Sequence, residues 1–424
     1  MRNGAPRAKV SRDQNCGLNA KALQDQKAAA RLARYQKILC PEFPPFLKKY
    51  LDLKILARLK GIGLLCGTDW TPLFHNRFYY SRYDHSLNCA LIVWNWTGDK
   101  KMTLAALLHD VSTPAFSHVI DFKNGDALTQ ESTEDKNAAM IRSDAQLAAA
   151  LALDGLTAAD VDDYHKYSIC DNEVPQLSAD RLEYMFPSGA ALEGWFSLRA
   201  IKRFYGDLVL AKDENGNLEF AFKTKKIALD YFKRILKIGY FLQRNKDKIA
   251  MELMARVVDK AIACGALREE ELWLLSERDI IGRWDGMLSA VDGPQSDEAR
   301  EFLRLYKTYR TMKKVCGSSA PLDGYFCVQL AVKRRWINPL VAADSLGLAN
   351  DSGAKVQTKA SLGANEAAAS LACEQSSGKP QTIEKMQSVE AARRICDVSA
   401  RAKKAAEKFL AYNDTPYACV KLAQ

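Results

Sequence analysis

A chain of 424 residues that is 48% hydrophobic and 26% charged can bury a sizeable core, which excludes a disordered or fibrous protein and leaves one large domain or two smaller ones. Its most apolar segment, Cys89–Trp96, is too short to cross a bilayer, so no membrane association is expected. The net charge of +10 lies in the first 60 residues, where 14 Lys/Arg face 4 Asp/Glu; the rest of the chain carries 47 of each.

In chain order, residues 1–45 form a basic N-terminal segment, disordered to about residue 20 and helical over "KALQDQKAAARLARYQKIL" (21–39). Its charge could serve weak contact with nucleic acid or anionic phosphates, though a solvated, frayed basic helix is the default reading of such a run. Residues 46–190 read as the core unit. Apolar residues recur at helical spacing over Leu51–Leu65, and Cys89–Trp96 and Met102–Leu108 read as two further helices. "DGLTAADV" (154–161) reads as a helix start capped by Thr157. Residues 191–343 form a second, mostly helical part. Within it "LAKDENGNLEFAFKT" (210–224) reads as a β-hairpin around Asn-Gly, and "YFCVQLAVKRRWINPL" (325–340) as a strand. Residues 344–381 are rich in Ser, Gly, Ala, Asn and Gln and read as a linker. A last helix is expected over 382–412, in a final segment 382–424. The eleven cysteines are dispersed without a C-x-x-C, and "MRNGAPRAKV" lacks the apolar core of a secretory signal. Reduced thiols and a cytoplasmic location are therefore expected. The fold class is mostly α.

Chemistry concentrates in "LLHDVSTPAFSHVIDF" (107–122), which holds two of the chain's five histidines, His109 and His118, with Asp110 and Asp121 beside them. His85 in "SRYDHSLNCALIVW" and Asp180 in "LSADRLEYMF" likewise border apolar helical runs. Imidazole with carboxylate suits a divalent cation such as Mn, Fe, Ni, Zn or Mg, and helical bundles build such sites from inward-facing side chains on separate helices. A single His beside apolar residues is more often a hydrogen-bonded core residue. Asp110, directly after "LAALLH", is harder to bury without a cation or several donors.

Taken in order, R-x-x-H-S (82–86), L-L-H-D (107–110), P-x-F-S-H-x-x-D (114–121) and D-R-L-E-Y (180–184) resemble the H…HD…D signature of the HD-domain phosphohydrolase superfamily, in particular its deoxynucleoside triphosphate triphosphohydrolase branch. The resemblance covers roughly residues 50–190, with a weaker likeness of layout to about 340. It implies an HD-domain helical bundle with an appended helical region containing a small hairpin or strand element. It further implies that His85, His109, Asp110 and Asp180 ligate a divalent metal and that His118 and Asp121 form an acid–base pair. Arg82, Arg181 and Tyr184 would contact substrate phosphate or sugar. The residue-level alternatives are that Arg82 pairs with Asp84 and that Tyr184 packs in the core.

Two positions depart from the family. Thr113 stands where relatives carry His, Asn or Glu, and Gln130 where one subgroup has a second catalytic His; both are assigned to the substrate side of the pocket. Glu131 and Glu134 lie close enough in sequence to take over an acid–base role. His75 and His165 read as solvated, Tyr79, Tyr80, Trp94 and Trp96 as rim or core, and "VKRRW" (332–336) as a solvated strand edge. The expected activity is metal-dependent hydrolysis of a nucleotide or other phosphorylated small molecule. The alternative is a nucleotide- or nucleic-acid-binding regulator that keeps the HD fold; self-association is left open.

Overall fold

The computed structural model describes residues 12–290, 296–343 and 392–424, with side chains from residue 26 onward. The linker expected at 344–381 lies outside the described residues. The fold is mostly helical, with two small sheets. Helix α1 (Arg12–Leu39) leads into the short turns α2 (Lys48–Leu51) and α3 (Lys54–Ala57) and then α4 (Arg82–Thr97), α5 (Lys100–Leu108) and α6 (Val119–Lys123). These are followed by α7 (Lys136–Ser143), α8 (Ala145–Ala152), α9 (Ala179–Leu192) and α10 (Leu198–Gly206). Strands β1 (Leu208–Lys212) and β2 (Leu218–Phe222) precede α11 (Lys225–Leu242), α12 (Asn245–Ala263), α13 (Glu277–Leu288) and α14 (Asp297–Thr311). The remainder comprises β3 (Cys316–Ser318), β4 (Tyr325–Val328), β5 (Leu340–Ala342), β6 (Ala392–Arg394), α15 (Ile395–Val398), α16 (Ala400–Leu410) and β7 (Tyr417–Lys421).

Local chemistry explains the elements that matter for function. Ser81 and Asp84 form a reciprocal capping box that starts α4, and Gly98, with φ of 63°, ends it. Asp99 then accepts from the Met102 N–H and starts α5. Helix α4 is apolar on nearly every side, with Leu87, Ala90, Leu91, Ile92 and Val93 all buried, so it runs through the core rather than over it. Ser178 caps α9 by accepting from the Arg181 N–H. One hydrophobic cluster joins α4, α5 and α9 to α11, α12 and α14, and α9 runs through the boundary expected at residue 190.

Other parts of the sequence reading need revision. The periodicity over Leu51–Leu65 resolves into α2, α3 and a 3-10 turn at Arg58–Gly61, and Thr157 caps only a 3-10 turn. The hairpin forms as β1 and β2, paired antiparallel, with Asp213 accepting from the Asn215 and Asn217 N–H groups across the turn. The run at 325–340 is strand only at its two ends, β4 and β5. The helix expected over 382–412 is, among the described residues, β6, α15 and α16. The sheets are ordered β1-β2-β5-β6 and β3-β7-β4. In the second, Cys327 and Cys419 face each other across β4 and β7 and form a disulfide, contrary to the expectation of reduced thiols. Among the described residues no helix is long and apolar enough to cross a membrane.

Candidate metal centre

Three helices deliver the four expected donors to one point. His85 comes from the first turn of α4, His109 and Asp110 from the C-terminal end of α5, and Asp180 from the first turn of α9. His85 Nε2 lies 3.0 Å from Asp180 Oδ1, 3.2 Å from His109 Nε2 and 3.7 Å from Asp110 Oδ2. His109 Nε2 lies 3.6 Å from each of the two carboxylates. Donors bound about 2.0–2.2 Å from a shared cation stand roughly 2.9–3.6 Å apart, and these spacings, from 3.0 to 3.7 Å, come close to that range.

The proton arrangement supports the same reading. His85 Nδ1 lies 2.5 Å from Glu183 Oε2, and His109 Nδ1 lies 2.7 Å from the Ala106 carbonyl. A carbonyl oxygen only accepts, so Nδ1 of His109 carries the proton and Nε2 turns its lone pair to the cluster; Glu183 orients His85 the same way. Four acceptor atoms thus converge, an arrangement suited to a cation. Burial works against ionising Asp110, yet Arg82 and the two histidines hold its carboxyl well below the usual range. Asp180, only partly buried, is held low by His109 and His85 against the cost of desolvation. Burial is outweighed at His85 by Cys89 and Asp180, and at His109 by Asp110 and Asp180, so both imidazoles are pulled upward. In the absence of a cation, protons compete for these same lone pairs.

Cys89, one turn along α4 from His85, is the donor the sequence reading did not anticipate. With His85, His109 and Asp180 it forms a set of four potential ligand atoms lying within 4.8 Å of one another. Its sulfur is 3.7 and 3.8 Å from the two His85 ring nitrogens. Burial pushes the thiol upward, and a thiol that keeps its proton ligates poorly. An ionised carboxylate such as Asp110 suits a cation better than a protonated thiol.

The remaining expected residues divide into those facing the cleft and those behind it. The cleft has a volume of about 200 Å³, and Arg82, His118, Gln130, Arg181 and Tyr184 line it together with the donors. Thr113 and Asp121 stand one bond behind. Thr113 donates to Asp110 Oδ1 at 2.9 Å and so helps to hold the carboxylate. Asp121, fully buried, lies 2.9 Å from His118 Nδ1 and accepts from Ser132 at 2.6 Å. Arg82 ignores Asp84, which is engaged with Ser81, and donates from Nη1 to both Asp110 oxygens at 2.9 and 3.1 Å. Arg181 is held by the Gln176 carbonyl, Asn172 and Asp171. Glu134 also lines the cleft, and burial together with Glu131 pushes its carboxyl up to about 7.

Residues far along the chain complete the site. The "VKRRW" segment is no solvated edge: its backbone leaves the strand after Val328, and Arg335 enters the cleft. Arg335 Nη2 lies 3.3 Å from His118 Nε2 and donates to Gln130 Oε1 at 2.6 Å. Burial, with the charges of Arg335 and Arg82, drives His118 well below its ordinary value despite the bond to Asp121. The turn between Asp110 and His118 is braced from downstream. Trp273 donates to the Ser112 carbonyl, the Ala115 N–H donates to the Leu272 carbonyl, and Glu277 accepts from the Phe116 N–H. Phe116 and Ser117, at φ of 68° and 53°, hold left-handed backbone immediately before His118, and Cys66 and Gln130 on the cleft wall do the same. Non-glycine residues adopt that conformation only where surrounding contacts enforce it. His75 and His165 are exposed, with His165 at the mouth of the cleft.

No protein-family model matches the chain. An uncharacterized protein of Bacillus subtilis (strain 168), YdhJ, is 27% identical over 241 residues, which cover 55% of this chain and 69% of that protein. A phosphohydrolase of known structure from Bacteroides thetaiotaomicron VPI-5482 aligns with 88% of this chain and 94% of its own, at 13% identity and a TM-score of 0.47. A hypothetical protein from Aquifex aeolicus aligns with 90% of this chain and 93% of its own, at 13% identity and a TM-score of 0.52, and with it the chain shares an overall fold.

Proposed function

We propose that the chain is a metal-dependent phosphohydrolase of the HD type, acting on a nucleotide or a related phosphate ester or anhydride, with a deoxynucleoside triphosphate as one candidate substrate. The observation that carries the reading is the convergence of two imidazole lone pairs and two carboxylates on the wall of a cleft lined by arginine and histidine. His85, His109, Asp110 and Asp180 would hold the metal, and the mixed nitrogen and oxygen set suits Mn, Fe, Ni or Zn better than Mg. A divalent cation held there supplies Lewis acidity toward a phosphoryl oxygen and toward water.

The chain's own residues do the rest. Arg82 keeps Asp110 ionised and oriented. Glu183 and the Ala106 carbonyl hold the two imidazoles in the ligating tautomer. His118 is the proton-handling group facing the cleft, and Asp121 fixes which of its nitrogens does so. To test this, the purified chain is incubated with each of the five metals against a panel of nucleotides and generic phosphate esters. Metal-dependent release of phosphate, or of pyrophosphate or triphosphate, is expected; its absence across the whole panel refutes the reading.

A second reading is favoured by one contact. Arg335 covers His118 Nε2, so the proton-handling nitrogen is engaged in this conformation. A regulator that binds nucleotide through the same cleft would show ligand affinity with no product.

A further inference from the structure

The cleft holds three arginines, and they are not equivalent. Arg82 commits Nη1 to Asp110 and Nε to Ser117. Arg181 commits Nε to the Gln176 carbonyl and Nη2 to Asn172 and Asp171. Both cations already face a carboxylate. Arg335 does not. Its Nη2 touches only neutral acceptors, the Gln130 amide oxygen and His118 Nε2, and its guanidinium carbon lies 5.7 Å from the centre of the Tyr184 ring. Among the described residues no carboxylate pairs with it; Asp247 is close enough to feel its charge but forms no ion pair with it.

We propose that Arg335 seats a phosphate group of the substrate, the role the resemblance assigns to Arg82 and Arg181, and that the seated anion converts His118 from proton acceptor to proton donor. The proposal rests on the phosphohydrolase reading and adds to it the residue that grips the anion. A guanidinium with only neutral partners gains most by exchanging one of them for a phosphate oxygen, because charge-assisted bonds are the stronger kind. The side chain is also well placed to hold that oxygen. The Lys333 N–H donates to the Ala127 carbonyl at 3.1 Å, Gln243 donates to the Lys333 carbonyl at 3.0 Å, and the Asn338 N–H donates to the Pro175 carbonyl at 2.8 Å. The segment therefore enters the cleft fastened on both sides of Arg335.

The effect on His118 follows from what surrounds it. Asp121 of α6 lies on Nδ1, Arg335 on Nε2, Arg82 approaches from α4, and Cys66 belongs to the loop before α4. With no anion present, the guanidinium on the Nε2 side obliges that nitrogen to offer its lone pair. A phosphate oxygen between the two cancels the charge and offers an acceptor, so Nε2 takes up a proton from solvent while Nδ1–H stays on Asp121. In turnover, the bond from phosphorus to the leaving oxygen breaks as the bond to the water oxygen forms. The leaving oxygen takes the Nε2 proton, and the proton lost by the water restores His118. Loaded and unloaded clefts thus differ in proton content at His118 Nε2.

The test uses the full chain with stoichiometric Zn²⁺ present throughout and inorganic phosphate as the probe. Calorimetric titration should show Arg335→Ala weakening phosphate binding by at least about tenfold, the loss expected for one charge-assisted bond. Arg335→Lys, which keeps the charge but not the fork, should lose less. Zinc per chain should be unchanged in both. Imidazole NMR, with His118 assigned by its absence from His118→Gln, gives an independent readout. Phosphate should raise the pH midpoint of His118 in the wild type. In Arg335→Ala the anion-free midpoint should already lie higher, and phosphate should move it less. Wild-type phosphate affinity in Arg335→Ala, or a His118 midpoint indifferent to phosphate, overturns the proposal. If the wild type hydrolyses esters while Arg335→Ala binds phosphate normally, the hydrolase reading stands and the assignment of Arg335 falls. If Arg335→Ala loses phosphate affinity and no ester is hydrolysed by the wild type, the reverse holds.

Discussion

Glu183 is the sharpest place to perturb the metal centre without touching a proposed ligand. Its side chain is fully buried, and it accepts from both the Tyr35 and Tyr80 hydroxyls at Oε1 while Oε2 lies against His85 Nδ1. Glu183→Ala would strand three buried donors at about 1–3 kcal/mol each, roughly 3–9 kcal/mol, which rivals the whole stability of a typical domain. That variant is expected not to fold and is uninformative. Glu183→Gln keeps the shape but replaces one acceptor with a donor. If the amide nitrogen faces His85, Nδ1 must become an acceptor, and the ring proton moves to Nε2, where it blocks ligation. If it faces the tyrosines, it meets two hydroxyls and the Asn88 amide, all donors in the native arrangement. Partners of this kind typically contribute 10–100-fold in metal affinity, about 1.4–2.7 kcal/mol. Competition between the chain and a chelator for Mn²⁺ or Zn²⁺, with bound metal measured by elemental analysis, reads this directly. Affinity within twofold of wild type in a folded Glu183→Gln chain would refute the tautomer argument and with it the assignment of His85 Nε2 as a ligand.

Three further outcomes are expected. Asp110→Asn should lose metal and turnover together, and Asp110→Ala should in addition cost about 3–5 kcal/mol by leaving the Arg82 cation buried without its partner; His118→Ala should keep its metal while turnover falls roughly 10²–10⁴-fold. Metal per chain beside turnover separates the two classes, and metal loss in His118→Ala would mean a misassigned ligand. Glu277, buried beneath the Phe116 turn, has its carboxyl pushed up to about 7 by burial, against the donors from Trp70, Gly63 and Phe116. Its contribution to stability is therefore complete below about pH 4.5 and is lost as pH rises through about 7, so thermal melts of the wild type minus Glu277→Gln should fall between those values; a flat difference would contradict the shift. The exposed basic residues of α1, Lys27, Arg34 and Lys37, are the ones to exchange for Ala when testing nucleic-acid contact, because deleting the helix would remove the buried Tyr35 and Leu39; if the arm binds nucleic acid, affinity and the salt slope both drop, and unchanged values exclude it.

What the sequence made legible was local. His109 and Asp110 stand at the end of an apolar run, Asp180 follows a Ser that caps a helix, and the β1–β2 turn is written in Asn-Gly. Each is a signal carried within a few residues, where spacing and side-chain chemistry constrain the backbone directly. Pairings across the chain left no such mark. Arg82 and Asp84, two apart on a helix, do not face each other, and the partner of Arg82 proved to be Asp110. Nothing in "VKRRW" distinguishes an arginine turned into a cleft from one on an edge; the difference lies in Gln243 and Ala127, which pull the Lys333 backbone inward. Glu183 reads as one polar residue in the D-R-L-E-Y run until Tyr35 and Tyr80 close over it. The bracing of the 110–118 turn by Trp273 and Glu277 spans about 160 residues, a distance over which no periodicity speaks.

The distance along the chain between His118 and Arg335 has a consequence for synthesis. They touch in the finished protein but are separated by 217 residues. At roughly 5–20 residues per second, a ribosome needs on the order of 10–40 s to pass from one to the other. Within that interval the last of the four proposed donors, Asp180, is made, while the segment that places a guanidinium against His118 is not. Even when Arg335 emerges, β4 still awaits its sheet partner β7 (Tyr417–Lys421). A nascent chain therefore acquires His85, His109, Asp110 and Asp180 well before Arg335, and the β4–β7 pairing forms later still.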